Sequence, residues 1–320
     1  MHASPTVRRP LGPGGPLVPP LALGSWNTWD RMSEDEAVAM IRTAAEGDAG
    51  FFDVACYNAG PHAENSRTDI LFGRALRASG VARERIVLCG KLWLWDWPGR
   101  GFRAQLEESL ERAGLDRFDA VVVGDYRQAP DVDRVVGEIG ELIADGLLGA
   151  WGVNNWVIGD TRAAIAAAER AGVAPPAFAQ LKYSIVRRSM AEGEPYGELF
   201  RSGVLTLQAS DILEGGILAG NPAPRRRIGA DVGGIRERIV AAAPEIARIA
   251  AGFDATPAQL ALAFCLAYEP TVNVLFGASR PGQLEGNLAA LRLAGERGEQ
   301  VRDAVAGLWL DRDVAADGTW

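Results

Sequence analysis

A chain of 320 residues with 48% apolar and 8% aromatic content can bury a large core. Lys and Arg number 33 against 41 Asp and Glu, a net charge of −8. That balance argues against a general affinity for nucleic acid or an anionic membrane, both of which call for basic patches. No apolar run reaches the roughly 18–20 residues of a membrane span. The N-terminal stretch MHASPTVRRPLGPGGPLVPP lacks an apolar h-region, so no secretory signal is expected. Cys56, Cys89 and Cys265 form no CxxC or zinc spacing, and the odd count disfavours a disulfide framework. The expected setting is the reducing cytoplasm. Two histidines, His2 and His62, leave little with which to build a Ser-His-Asp triad or a multi-histidine metal site, so no metal is expected.

In chain order, the Pro/Gly-rich segment 10–20 precedes a first candidate strand, LALGSW (21–26), and is expected to cover the bottom of the fold. Further strands are predicted at GFFDVAC (50–56), RIVLCGK (85–91), FDAVVVGD (118–125) and LGAWGVNN (148–155), then at AFAQLKYS (177–184), VLTLQAS (204–210) and VNVLFGAS (272–279). Most are near-continuous apolar runs, the pattern of parallel strands covered on both faces. Amphipathic stretches lie between them. SEDEAVAMIRTAAEGDAG opens with Ser33 and Glu36 as a capping box. FRAQLEESLERAG places Phe102, Leu106 and Leu110 on one helix face and stops at Gly114. DRVVGEIGELIADG and TRAAIAAAERAG follow the same plan.

Eight strands, each followed by helical sequence, count out a (β/α)8 TIM barrel, one α/β domain over 1–320. Residues 1–20 form an N-terminal extension, and 211–233, with Arg225, Arg226 and Arg227, form a long loop after the seventh strand, a lid or mobile segment by its length. A doubly wound open sheet is the competing fold. Its first strand would lead into a GxGxxG turn, and the turn here is GSWNTW.

Barrel enzymes place their chemistry at the C-terminal strand ends. Those ends carry Trp26 and Asn27; Asp53 and Tyr57; Lys91 and Trp93; Gly124, Asp125 and Tyr126; Asn154 and Asn155; Gln180 and Tyr183; Ser210 and Asp211; Ser279 and Arg280. An Asp and a Lys on adjacent strand ends are natural ion-pair partners, able to lower the pKa of a nearby phenol, or a purely structural pair.

These residues carry a resemblance. GFFDVA resembles the GxNFFDTA of the aldo-keto reductases, TDILFGRAL their SExLLGxAL, and LEESLERAGLDRFD their ESLxRLxxDYxD. LIADGLLGAWGVNNW is similar to LxxxGKxRxxGxSNW, AFAQLKYSIVRR to QxxYNxxxR, and FGASRPGQLEGNL to GASxxxQLxxN. LGPGGPLVPPLALGSW looks like the N-terminal hairpin and first strand, and the likeness is greatest to the branch that includes the β subunits of voltage-gated potassium channels. The resemblance implies a barrel with an N-terminal hairpin and NADPH-dependent carbonyl reduction by a Tyr, Lys, Asp and His tetrad.

Asp53 and Lys91 match two tetrad positions. The histidine position falls on Gly124. The tyrosine position falls on Asn58 by direct count, and on Tyr57 if the longer loop after Asp53 is gapped. For the cofactor, the resemblance implies Asn154, Asn155 and Gln180 at the nicotinamide and Ser279, Arg280, Gln283 and Asn287 at the adenine and phosphate end. Ser210 and Leu213 fall in the stretch that normally brings a stacking aromatic, and Gly286 replaces an acidic residue. Asn155 and Ser279 could instead cap helices. Trp26, Asn58, Trp93 and Tyr126 are placed on the substrate side, with Trp95 and Trp97 as a wall or as packing. His62 reads as a solvated loop residue, and Cys56 and Cys89 as core filling.

The favoured reading is an NADPH-dependent reductase of an aldehyde or ketone, sugar-like or otherwise sizeable, with an altered tetrad of Asp53, Tyr57, Lys91 and Asp125, and Tyr126 as a further candidate acid. The alternative is a non-redox lyase, dehydratase or isomerase using Lys91 and Asp53. A third is a cofactor-binding regulatory subunit. The channel-subunit branch is tetrameric, which admits a homo-oligomer, although no interface is legible in the sequence.

Overall fold

The computed structural model describes residues 8–26, 28–57, 66–124, 126, 128–221, 223 and 231–313. Two short strands, β1 (Arg9–Pro10) and β2 (Leu17–Val18), pair antiparallel as a hairpin. Eight parallel strands follow: β3 (Leu21–Gly24), β4 (Phe51–Asp53), β5 (Val87–Leu92), β6 (Phe118–Val123), β7 (Leu148–Asn154), β8 (Phe178–Lys182), β9 (Thr206–Ser210) and β10 (Thr271–Gly277). They close in the order β10-β3-β4-β5-β6-β7-β8-β9, a (β/α)8 barrel as the alternating sequence predicts. Each observed strand lies at a predicted one, most of them shorter. The residues dropped at the C-terminal ends, such as Ser25 and Val54–Cys56, leave the ladder to build the loops over the barrel mouth.

The outer helices are α1 (Glu34–Glu46), α2 (Thr68–Ser79), α3 (Phe102–Ala113), α4 (Val132–Ala144), α5 (Ile158–Ala171), α6 (Ser189–Glu192), α7 (Glu194–Arg201), α8 (Ile235–Ala251), α9 (Pro257–Leu266) and α10 (Pro281–Ala304). The capping box of α1 forms as predicted: Glu36 N donates to Ser33 Oγ at 3.2 Å and Ser33 N to Glu36 Oε2 at 2.8 Å. Leu106 and Leu110 of α3 are buried, and Gly114 ends that helix with a left-handed φ of 65°.

Inside the barrel, the lower end is apolar. Ala22, Phe51, Cys89, Val122, Phe178 and Val272 pack there with Leu11 and Val18 of the hairpin, which closes the bottom. Arg9 fixes the hairpin by donating to the carbonyls of Glu269 and Thr271 beside β10. Gly12, at φ +76°, lies so close to Ala177 that a Cβ would meet it at 2.7 Å.

One register step towards the C-terminal ends, the inward positions turn polar. Asn154 pairs with Gln180, Gln180 with Gln208, and Asn273 with Gln208. Asp53 and Lys91 reach the same level from β4 and β5. An apolar floor under a polar upper layer gives the chemistry one place to gather: the mouth at the strand C-termini.

The loop after β9 departs from its expected character. It does not run free from Asp211. A 3-10 helix at Glu214–Ala219 folds it back, entered through positive φ at Asp211 (52°) and Glu214 (49°) and continued by Gly215 and Gly216. Arg187 Nε pairs with Glu214 Oε2 at 2.9 Å, both side chains buried, and Ser184 Oγ donates to Glu214 at 2.7 Å. That buried pair fastens the start of the loop to the chain just beyond β8. Arg225, Arg226 and Arg227 lie outside the described residues.

Candidate active site at the barrel mouth

Asp53 ends β4 and is buried. Its Oδ2 accepts the amide N–H of Gln180 at 2.7 Å, while its buried Oδ1 has no hydrogen-bond partner among the described residues. Lys91 Nζ donates to the other end of the same amide, Gln180 Oε1, at 3.3 Å. The expected direct Asp53–Lys91 ion pair is therefore replaced by a bridge. The chemistry fixes its polarity: a carboxylate only accepts and an ammonium only donates, so Gln180 must turn its NH2 to one and its oxygen to the other. Asn154 Nδ2 adds a bond to Gln180 Oε1 at 2.9 Å. Gln180 Nε2 also donates to Gln208 Oε1 at 2.7 Å, and Gln208 Nε2 passes the chain to Asn273 Oδ1 at 2.9 Å. All four hydrogen-bonding capacities of the Gln180 side chain are used within the protein.

Tyr57 is almost wholly buried four residues beyond Asp53, between two indoles. Trp26 stacks along it with ring centroids 6.2 Å apart, and Trp93 meets it edge-on at 5.9 Å. Burial, and next the Asp53 carboxylate, push its pKa well above the ordinary tyrosine value; the Ser25 hydroxyl acts weakly the other way. This reverses the expected lowering by a neighbouring Lys–Asp pair. Lys91 faces Gln180 and the Trp93 ring instead, so its charge is not spent on the phenol.

Trp93 is pinned on several sides. Its backbone N–H donates to Gln105 Oε1 at 2.8 Å, its carbonyl accepts from Gln105 Nε2 at 3.0 Å, and its indole N–H donates to the Cys56 carbonyl at 2.9 Å. The Lys91 ammonium sits 5.3 Å from its ring centroid. Gly124, at the end of β6, lies against the same ring: a Cβ there would approach Trp93 Cε3 to 2.9 Å.

Tyr126 is committed elsewhere. Its hydroxyl donates to Asp160, it accepts the Val157 N–H at 3.3 Å, and its ring meets Trp156 edge-on. Burial and then Asp160 raise its pKa. With Trp95, Trp97, Pro98 and Arg134 it lines a cavity of about 770 Å³ between the loops that follow β5 and β6. Trp97 packs against Phe102 and the Arg134 guanidinium, and its N–H donates to Glu138. Asn27, Asn58, His62 and Asp125 lie outside the described residues.

The remaining sequence candidates divide between two places. Asn155 follows β7 with φ of 52°. Its Oδ1 accepts the Lys182 N–H at 3.3 Å and its Nδ2 makes no hydrogen bond among the described residues. It does not cap α5, whose N-cap is Val157. Ser210 ends β9, and Leu213 packs half-buried against the core in the turn beyond it. Ser279, Arg280, Gln283 and Asn287 gather at the start of α10. There Gln283 Oε1 accepts the Ser279 N–H at 2.9 Å. Arg280 is the N-cap residue, exposed and without a hydrogen bond or ion pair among the described residues.

These residues fit the cofactor that the resemblance implies. At one end stand the exposed Arg280 guanidinium and the N-terminus of α10, an arrangement suited to phosphate. At the other, the free Asn155 amide stands beside Asn154, and the unpartnered Asp53 Oδ1 calls for a donor. Gln180, expected at the nicotinamide, has its side-chain hydrogen bonds taken up within the protein.

Asp211, next to Ser210, accepts the Gly215 N–H at 3.3 Å through Oδ1, and its buried Oδ2 has no hydrogen-bond partner among the described residues. Burial, and then Glu214, push its carboxyl up to about 7.

Sequence reasoning did not single out Gln208, Asn273, Gln105 or the Arg187–Glu214 pair. Gln208 and Asn273 did leave a signal, as amides at inward positions of otherwise apolar strands. Gln105 left none, because one polar residue on a surface helix is ordinary. No helix among the described residues is long and apolar enough to cross a membrane, and no three of their His, Cys, Asp or Glu side chains cluster as metal ligands.

The fold agrees with that of the chain's relatives. The model of the aldo/keto reductase family matches residues 20–305. A protein of Oryza sativa subsp. japonica described as "Probable voltage-gated potassium channel subunit beta" is 28% identical over 306 residues, 88% of this chain and 90% of that one. Among solved structures, an aldo-keto reductase from Klebsiella pneumoniae in complex with NADPH superimposes with a TM-score of 0.70 at 22% identity, covering 93% of this chain and 95% of the other. A thermostable aldo-keto reductase bound to the inhibitor epalrestat gives a TM-score of 0.73 at 22% identity, over 94% and 99%. With the family model spanning the barrel from its first strand to its last helix, the chain belongs to the aldo/keto reductase family.

Proposed function

We propose that this protein is an NADPH-dependent reductase of aldehydes or ketones in which Tyr57 donates the proton. The observation that carries the reading is the setting of Tyr57: a buried phenol between Trp26 and Trp93, beside Asp53, at the mouth of the barrel. When bound, NADPH supplies a hydride to the carbonyl carbon. The protein's part is to receive the charge that develops on oxygen. A phenol held well above its ordinary pKa keeps its proton throughout the physiological range and gives it up only to a strong base, such as the alkoxide that hydride transfer creates.

Lys91 adds positive potential near the reacting oxygen, where low polarity magnifies it. Gln180 holds Lys91 and Asp53 apart, so the cation is not neutralised by a direct contact. Asn154 and Asn155, with Ser210 and Leu213 beyond β9, would hold the nicotinamide side, and Ser279, Arg280, Gln283 and Asn287 the phosphate side. The Klebsiella relative crystallised with NADPH supports the choice of cofactor. A substrate with a flat or sugar-like body suits the Trp-rich surroundings. Free cysteines at Cys56, Cys89 and Cys265 accord with a cytoplasmic setting.

The test is a calorimetric titration with NADPH, and with NADH as control. Micromolar binding selective for NADPH is expected. No binding at millimolar concentration would overturn the reading.

A second reading, a non-redox lyase or isomerase built on Lys91 and Asp53, is favoured by the saturation of the Gln180 amide and by Ser210 where an aromatic is expected. Turnover of a carbonyl compound without any nicotinamide would establish it in place of the first.

A further inference from the structure

Trp93 is more tightly fixed than a wall residue needs to be. Gln105 holds its backbone on both sides and Cys56 takes its indole N–H. Tyr57 meets the ring edge-on, Lys91 lies over its face, and Gly124 offers no Cβ to displace it. Among the described residues no carboxylate lies within ion-pair distance of the Lys91 ammonium; Gln180 Oε1 and the Trp93 ring are what hold it. Asp53 Oδ1, meanwhile, is buried and without a hydrogen bond among the described residues.

We infer that Trp93 is a positioning residue: its ring face fixes the Lys91 ammonium at the mouth, and glycine at position 124 is the condition that lets the ring stand there. The claim rests on the reductase reading for its kinetic consequence and on geometry alone for the rest. A Cβ at position 124 would sit 2.9 Å from Cε3 and 3.4 Å from Cζ3 of the ring, and with the main chain of Trp93 clamped the relief must come from the indole itself. The ring would then tilt, and Lys91 and Tyr57 would move with it. The inference also accounts for a site to which β6 gives no side chain at position 124. That space is held by the indole.

Gly124→Ala, Gly124→Ala/Trp93→Phe and Gly124→Ala/Trp93→Leu separate face from volume. The single variant is expected to lower the thermal midpoint by roughly 2–8 °C. Both double variants make room and should recover it. Only phenylalanine keeps a π face for the ammonium. With NADPH and 4-nitrobenzaldehyde as probe, kcat should return to within about threefold of wild type in the Phe double variant and stay roughly tenfold or more below it in the Leu variant, with KM for NADPH unchanged in both. A readout independent of turnover is the upfield ring-current shift of the Lys91 ε-CH2 protons, expected in wild type and the Phe variant and absent from the Leu variant.

Equal kcat and equal Lys91 shifts in the Phe and Leu variants would reduce Trp93 to packing and overturn the inference. A harmless Gly124→Ala would overturn the contact itself. If no variant, nor wild type, turns over the probe, the reductase reading fails alone; the midpoints and the Lys91 shift still decide the role of Trp93.

Discussion

Gln180 donates its amide N–H to Asp53 at 2.7 Å and takes the Lys91 ammonium on the oxygen of the same amide. A neutral side chain thus couples two charges that the sequence suggests should touch. Replacing Gln180 by Leu would strand Asp53 Oδ2 and Gln208 Oε1 in the core, while Asn154 Nδ2 keeps its bond to the Gln180 carbonyl. Each buried group left unpaired costs about 1–3 kcal/mol, so urea denaturation should show a loss of about 2 kcal/mol or more. An unchanged midpoint would mean that both groups are satisfied some other way.

The Arg187–Glu214 pair should be equally sensitive, for a different reason. Both side chains are buried at 2.9 Å. Arg187→Met leaves the Glu214 carboxylate without its cation, which for a buried pair costs about 3–5 kcal/mol. Because Glu214 begins the turn after β9, limited proteolysis of Arg187→Met is expected to cut first between residues 211 and 221. Wild-type cleavage kinetics there would count against the pair as the fastening.

Asp211 predicts a pH dependence of opposite sense to that of a salt-bridged carboxylate. Its folded-state pKa, about 7, lies above the unfolded value near 4. Between those two values the folded chain holds a proton that the unfolded chain has lost. The Asp211 contribution to stability is therefore full below about pH 4, falls as pH rises, and is gone above about pH 7. Asp211→Asn should remove that slope and be the more stable protein at pH 8, as thermal midpoints across pH 4–8 would show. Parallel profiles would contradict the assignment.

Arg280 is the exposed cation at the start of α10, with no hydrogen bond or ion pair among the described residues. If it meets a cofactor phosphate, Arg280→Ala should weaken NADPH binding by roughly 10- to 100-fold and leave NADH nearly unchanged. Equal losses for both would place Arg280 away from the distinguishing phosphate.

The barrel was legible because buried parallel strands are written as apolar runs, and RIVLCGK and FDAVVVGD could hardly be anything else. Asp53, Lys91, Asn154 and Gln180 were legible as a set because strand C-termini share one rim. What the sequence left open was the pairing within that rim. Adjacent strands put Asp53 and Lys91 side by side, yet Gln180, on a strand across the barrel, has the reach and the two-ended chemistry to come between them. The role of Gly124 was hidden for a related reason. A glycine shows only that a side chain is missing, and the indole that fills the space comes from Trp93, on the neighbouring chain segment.

The most direct test of the account is the turnover of Tyr57→Phe with NADPH and 4-nitrobenzaldehyde, measured beside its affinity for NADPH. Removing one hydroxyl from a buried ring leaves the packing against Trp26 and Trp93 in place. The account predicts a fall in kcat of roughly 100- to 10,000-fold, with NADPH affinity unchanged. Full turnover by Tyr57→Phe would contradict it, because the proton would then come from another group.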